Sequence, residues 1–451
     1  MKNSLFRNLW PLLSLAAAAG LAAQEPPLTL RQAIDTALGK NPEVTMAQAG
    51  QQSAKASSML ARTALLPQLN FTEDISRGDD PVYAFAARLR QRSFTQADFN
   101  VDTLNRPNPI SDFSTRFTGQ WMLFDSLRTQ RMIQGADLMR RSADSTTQAI
   151  NQKVVFDVVR AYEAVLFAQR RVAVAQHEQE TADALLASAA DHVNAGLAVD
   201  SDRMLAAVNQ SARKQELITA EGDLDLAWVQ LRAAMGVEDF ARADLKPIEP
   251  HEFAALSLDE QMASALKTRP DLEALKLAQT AQSKSVSAAR SNFLPHIAAY
   301  GNWEEDRDSF GGSGGNNWVA GVQLGIDIFP STKKYELARE VAAKRRVDAQ
   351  VTQYQQQLRV QVSQAHIHQA TAVQALATAK AALAQSEESL RILRNRYNAG
   401  LATINDLLRA EDAQRESESN YWNAVYGNAM AYAETLFATG TLTPDAAEAL
   451  Q

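Results

Sequence analysis

From about 126 to 192, and again from about 331 to 396, apolar residues recur in alternating steps of four and three, with no proline and almost no glycine. In the later stretch they are Leu358, Val362, Ala365, Gln369, Ala372, Leu376, Ala379, Leu383, Ser386, Leu390, Leu393 and Tyr397. The earlier stretch repeats the same steps from Val154, Val158, Ala161 and Val165 through to Ala189 and Val193. A sustained seven-residue period predicts coiled-coil packing. Roughly 65 helical residues extend about 100 Å, more than any globular core needs. The many alanines bring neighbouring helices close. A second stripe, Val155, Val159, Tyr162 and Leu166, lets the first long helix touch partners on two sides, as in a closed ring; the broad face of an ordinary bundle is the alternative.

Ahead of each long helix the period changes to two. Strand pairs are predicted over 69–76 with 114–125, and over 296–306 with 318–329. In the last, Trp318, Ala320, Val322, Leu324, Ile326 and Ile328 share one face, while Val319, Gly321, Gln323, Gly325 and Asp327 share the other. Alternation over about ten residues fits an outer-membrane strand, apolar outward and small or polar inward. A half-buried strand of a soluble sheet shows the same pattern. The connection 77–112 is long and polar, with a short helix predicted over 82–92. The glycine run from Gly311 to Gly315 joins two strands rather than a strand and a helix, so it reads as a flexible surface loop and not as a phosphate cradle.

These segments belong to a duplication. A short helix opens at Leu28-Thr29-Leu30 and stops before Asn41-Pro42; its counterpart opens at Leu256-Ser257-Leu258 and stops before Arg269-Pro270. Each proline starts a helix of about 24 residues that is expected to end at a second proline, Pro67 or Pro295, at identical spacing in the two halves. Each long helix then breaks at the same words, Asn194-Ala195-Gly196-Leu197-Ala198 and Asn398-Ala399-Gly400-Leu401-Ala402. Glycine supplies the left-handed residue of a sharp helical turn. The chain returns as helix over 203–235 and 407–437, with Asp202 and Asp406 at matched distances past the turns. The reading is therefore a signal segment 1–23, a first repeat 24–236, a linker 237–255, a second repeat 256–440, and a tail 441–451 expected to fray.

Composition narrows the class. The 451 residues carry a net charge of −7 with no concentrated basic face, which argues against a nucleic-acid partner. Lys2 and Arg7 precede an apolar run ending near Ala22 and Ala23, the pattern of a secretory signal cleaved after one or the other. The chain has no cysteine, hence no disulfide and no thiol for a lipid anchor. If it enters a membrane it does so with strands. Four strands cannot enclose a lumen, since the smallest membrane barrels have about eight, and lipid does not tolerate open strand edges. Three copies would supply twelve strands, so a cyclic homotrimer is expected.

Duplicated halves, proline-started second helices, two strand hairpins and two Ala-Gly-Leu turns together resemble the outer membrane efflux protein family, the TolC-like outer membrane factors. The resemblance covers essentially the whole mature chain. It implies a mainly α protein with a β membrane part, a trimeric channel-tunnel with a twelve-stranded barrel and a long periplasmic helical tube. It implies a location in the outer membrane of a Gram-negative-type bacterium, among outer-membrane lipid. It further implies a passive exit duct for small molecules or proteins in a tripartite efflux or type I secretion system, working with a periplasmic adaptor and an inner-membrane pump. Carried over residue by residue, Tyr397 and Asp406 match the family's closed periplasmic end, whereas Arg409 stands where a second inward acid is usual. Asp202 matches the acid of the family's tip lock, but Ala402 replaces its arginine. The expected gate is Asp202, Tyr397, Asp406 and Arg409, with an Asp406–Arg409 pair weakening cation selectivity. The expected adaptor contacts are Ala195, Gly196, Leu197, Ala399, Gly400 and Leu401. Helix capping is the competing role for Asp202 and Asp406.

No residue pattern suggests an enzyme or a cofactor. His366 and His368 lie two apart on a helix and face different ways; His177-Glu178 and His251-Glu252 have no partner at metal-ligand spacing. The rival to a channel is a periplasmic coiled-coil adaptor or scaffold. An adaptor would carry one hairpin between glycine-rich β-domains and an inner-membrane anchor; this sequence has two hairpins and membrane-type strands.

Overall fold

The computed structural model describes residues 27–196, 198–238, 242, 244–247, 256–448 and 450. The signal segment, Leu197, much of the linker with His251 and Glu252, and Gln451 lie outside the described residues. The first half runs α1 (Leu30–Lys40), α2 (Pro42–Thr63), β1 (Gln68–Gly78), α3 (Pro81–Arg90), α4 (Val101–Asn105), β2 (Ile110–Phe124), α5 (Arg128–Asn194) and α6 (Asp200–Met235). The second runs α7 (Leu258–Thr268), α8 (Pro270–Ser291), β3 (His296–Arg307), β4 (Gly314–Gly325), α9 (Ser331–Asn398) and α10 (Ile404–Thr439), followed by α11 (Pro444–Glu448).

Local chemistry explains the matched boundaries. Capping boxes, Thr29 with Gln32 and Ser257 with Glu260, start α1 and α7. Asn41 and Arg269 each end one helix and begin the next, with proline in the first turn. Both second helices are 22 residues long and stop at Thr63 and Ser291, short of the prolines expected to end them. Gly236 and Gly440 end α6 and α10 at φ +70° and +73°; a Cβ there would come within 2.6 Å of Asn41 Cα and 3.0 Å of Arg269 Cα. Each half thus folds its last helix back onto its own helix junction.

The sheet is antiparallel in the order β1-β2-β3-β4, and among the described residues no strand pairs with the outer edges of β1 and β4. Phe71, Phe117, Trp303 and Trp318 stand in register across all four strands. They form an aromatic belt on one face, with ring centroids 5.2 Å apart for Phe71–Phe117 and 5.8 Å for Phe117–Trp303. The alternate positions, among them Asn70, Thr118, Asn302 and Gln323, give a polar face. One expected strand is misplaced: β4 begins at Gly314 and ends at Gly325, so Ile326 and Ile328 lie beyond it. Residues 314–317 pair with 304–307 and are not loop. Glycine is needed at 315 because a side chain would strike the Arg90 carbonyl of the segment folded over it.

The long helices have 67 and 68 residues, and the seven-residue seam is their least exposed line. The second stripe of α5 is buried by α1, α6 and the chain end: Val155, Val159, Tyr162 and Leu166 share one core with Leu30, Ile34, Leu231, Met235, Leu442 and Leu450. The Tyr162 hydroxyl donates to the Leu28 carbonyl at 2.7 Å. The tail is therefore packed and not frayed. Leu442 and Leu450 are buried, and Asp445 pairs with Arg31.

Candidate functional site: the paired helical tips

Both turns close by the same backbone chemistry. At the second, Ala399 N–H donates to Asn395 (3.2 Å), Gly400 N–H to Tyr397 (2.9 Å) and Leu401 N–H to Arg396 (2.8 Å), a Schellman arrangement. At the first, Ala195 N–H donates to Asp191 (2.9 Å) and Gly196 N–H to Val193 (3.0 Å). Gly196 and Gly400 adopt φ +71° and +72°, and an added Cβ at either would meet nothing within 4 Å. The turn backbone is therefore open on both tips, and Leu401 is exposed.

Past the turns the halves diverge. Thr403 caps α10: its hydroxyl donates to the Asp406 carboxylate at 2.7 Å and its N–H does so at 3.0 Å. These bonds, the hydroxyl's first, hold Asp406 below the usual carboxylate range, with Arg409 and Arg396 adding their charge. The expected Asp406–Arg409 ion pair does not form among the described residues, because Asp406 is turned back onto Thr403. In the first half Val199 precedes α6 and offers no side-chain cap. Asp202 makes no cap there; its charge falls on Tyr397, whose hydroxyl is pushed up by burial and then by Asp202. Of the two acids only Asp406 takes part in a cap, as the partner of Thr403. The Tyr397 ring lies 5.9 Å from His192, and Tyr397, Leu186 and Leu408 pack around buried Ala189, Ala206 and Ile404. This small core joins the two hairpins. At Ala402 no arginine locks the tip; Arg396 instead reaches the Leu401 carbonyl at 3.5 Å.

Sequence reasoning missed a charged network farther from the turns. Arg213 on α6 donates to Asp412 on α10 at 3.0 Å, to Glu216 at 2.8 Å and to Asn209 at 3.2 Å, and lies 3.6 Å from Glu178 on α5. Arg415 also meets Asp412 at 3.1 Å and Glu216 at 3.4 Å. Arg394 on α9 pairs with Glu411 at 3.4 Å. All of these groups except Glu216 line a cavity of about 410 Å³ between the hairpins. Burial pushes Glu178 up to about 7, against the pull of Arg415 and Arg213. The available signal was the i, i+4, i+7 spacing of Asn209, Arg213 and Glu216 facing opposite charges at a similar distance past the second turn.

A four-stranded sheet with an aromatic, apolar outer face and two unpaired edges, set at one end of helices about 100 Å long, defines a trimeric channel-tunnel; only further copies can close its edges in lipid. The outer membrane efflux protein family model matches residues 33–237 and 262–441. TolC, an outer membrane protein of Vibrio cholerae, is 23% identical over 97% of this chain and 96% of its own length. The alkaline protease secretion protein AprF of Pseudomonas aeruginosa is 21% identical over 90% of this chain and 83% of its own. The Campylobacter jejuni CmeC outer membrane channel superposes with a TM-score of 0.80 at 16% identity, over 98% of this chain and 94% of that one.

The chain belongs to the outer membrane efflux protein family. It is an outer-membrane channel for efflux or secretion, with a large periplasmic part, and not a periplasmic adaptor. Channels of this kind form trimers and work with adaptors and inner-membrane pumps.

Proposed function

We propose that the two glycine turns form the periplasmic entrance of a passive exit duct, closed at rest by the α9–α10 tip and opened when an adaptor engages the turns. The observation that carries this reading is the tip core: Tyr397 of the second hairpin is packed on His192 and under the charge of Asp202 from the first. Holding that contact keeps the hairpins together; releasing it frees the second to move. The open backbone at Ala195, Gly196, Ala399 and Gly400, with exposed Leu401, suits an approaching helical hairpin. The duct itself performs no chemistry, and its energy comes from the pump. Asp406 and Arg409 set the charge of the entrance, so Asp406→Ala or Arg409→Glu alters single-channel conductance and ion selectivity in planar bilayers. Unchanged conductance and selectivity in both variants would remove these two residues from the gate.

A further inference from the structure

The connection between β1 and β2 does not stand away from the sheet. Its helix α3 crosses the ends of β2, β3 and β4 on their polar face. Tyr83 hydroxyl pairs with Ser76 at 2.8 Å, and Gln91 donates to the Asp112 carboxylate and the Ser111 carbonyl, each at 2.9 Å. Arg92 donates to the Asn316 carbonyl at 2.7 Å, and the Arg90 carbonyl lies over Gly315. Ser76, Asp112 and Gly315 alternate with the belt residues, so Tyr83, the Gln91 side chain and the Arg90 carbonyl meet the sheet on the face opposite the aromatics. Ala84 and Ala87 are buried against the sheet, and beneath α3 Glu304 and Asp306 are buried too. The face of α3 turned away from the sheet is apolar: Phe85 on it packs against Phe94, ring centroids 4.9 Å apart, while Val82 and Leu89, seven residues apart, stay 76% and 48% exposed.

With the aromatic belt in lipid, the polar face bounds the lumen, and α3 lies inside its outer mouth. We propose that the apolar stripe of α3 meets the same stripe of the other two copies on the threefold axis, forming a second, hydrophobic closure at the outer end of the channel. Twelve strands about 4.8 Å apart and tilted about 40° enclose a lumen of roughly 12 Å backbone radius. A helix is about 10–12 Å across with its side chains, so one laid on the wall reaches nearly to the axis. On the axis Val82 and Leu89 meet their own symmetry mates, continuous with the strand-edge contacts that close the barrel. Three facing apolar stripes exclude water and so stop ions and polar solutes without any charged barrier.

This inference rests on the trimeric channel reading, and one experiment separates the two. The chain has no cysteine, so Leu89→Cys and Val82→Cys each place one thiol per copy at an exposed site that does not disturb the fold. Outer-membrane vesicles are oxidised with copper phenanthroline, or treated with a short bismaleimide, and run on denaturing gels without reductant. Three thiols around one axis form one bridge and leave one chain over, so linked dimers should approach about two thirds of the protein. Ile75→Cys, on the belt face, should remain unlinked. No dimer at either α3 position, in vesicles where amine cross-linking still yields trimers, overturns the outer closure and leaves the channel standing. Absence of the trimer itself takes down both. A dimer yield that rises with protein density reports contact between separate channels and also overturns the proposal.

Discussion

Arg213→Met removes the cation that ties three helices together near the tips, while a thioether stem keeps much of the packing. The Arg213 side chain is only 12% exposed and bonds Asp412 across the boundary between the hairpins. A hydrogen bond to a charged group contributes about 1.5–3 kcal/mol when shielded, but an exposed ion pair contributes less than about 1. Asp412 is 55% exposed and keeps Arg415 as a second partner, so the lower range applies. The tie is then worth about 1 kcal/mol per chain. If the three tips open together, the closed state loses about 3 kcal/mol, which is roughly a hundredfold in the opening equilibrium. Single-channel recording should show the variant dwelling longer in high-conductance states. Cells carrying it should become sensitive to a large hydrophilic antibiotic that the closed tip excludes. Dwell times and conductance equal to the parent, in a variant whose trimer survives electrophoresis, would refute the argument. The network would then be a stabilising patch with no part in gating.

The remaining predictions concern stability. Glu178 is held protonated up to about 7 where the free acid ionises near 4.5, so the native chain binds the extra proton within that window. Stability rises as pH falls through about 7 and the gain is complete below about 4.5; Glu178→Gln should flatten the change in Tm between pH 8 and pH 5, and an unaltered pH dependence counts against the buried acid. Gly236→Ala and Gly196→Ala each introduce about 1–2 kcal/mol of left-handed strain, but only Gly236 faces a backbone atom at 2.6 Å. The former should lower the melting temperature by clearly more, and equal losses would show that the helix junction yields freely. Arg269 is buried beside Asp271 at 2.5 Å and donates to the Phe437 carbonyl at 3.0 Å. Arg269→Met should cost about 3 kcal/mol, measured by thermal unfolding, with partial rescue by Asp271→Asn; no loss, or no rescue, removes the pair from the account.

Periodicity made most of the fold readable. Steps of four and three placed the long helices to within two residues at most ends, because a seam buried at every second turn leaves its mark on each residue it uses. Steps of two placed three strands and misplaced β4, since a glycine looks the same whether it gives a loop freedom or, as at Gly315, makes room for another segment. The tail was misread for a related reason: Leu442 and Leu450 are buried by a core assembled from α1, α5 and α6, which no local pattern announces. At the tips, Thr403 three residues before Asp406 was a readable capping box, and Val199 before Asp202 was its readable absence. The Arg213 network depends on how α5, α6 and α10 are rotated against one another, and a single sequence does not encode that rotation in any one place.

The duplication also bears on which hairpin moves. Two identical halves would give the tube six equivalent hairpins, and no one set could shift against the other. The halves have diverged in burial. Within the chain α5 buries 17 of its residues, the last at Ala189 beside the turn. Its counterpart α9 buries five, the last at Gln369, far from the turn. Between Ala372 and Tyr397 the seam of α9 is only half covered, and the alanines and single leucines there hold it by shallow contact. Within its own chain the lower part of α9 is thus the less buried of the two, and in the trimer its remaining cover comes from neighbouring copies. On the gating proposed above, the first hairpin is the frame and the lower part of the second is the leaf. Arg213 on Asp412 and His192 against Tyr397, each of which has a different residue at the matching place of the other repeat, are the contacts that fasten leaf to frame.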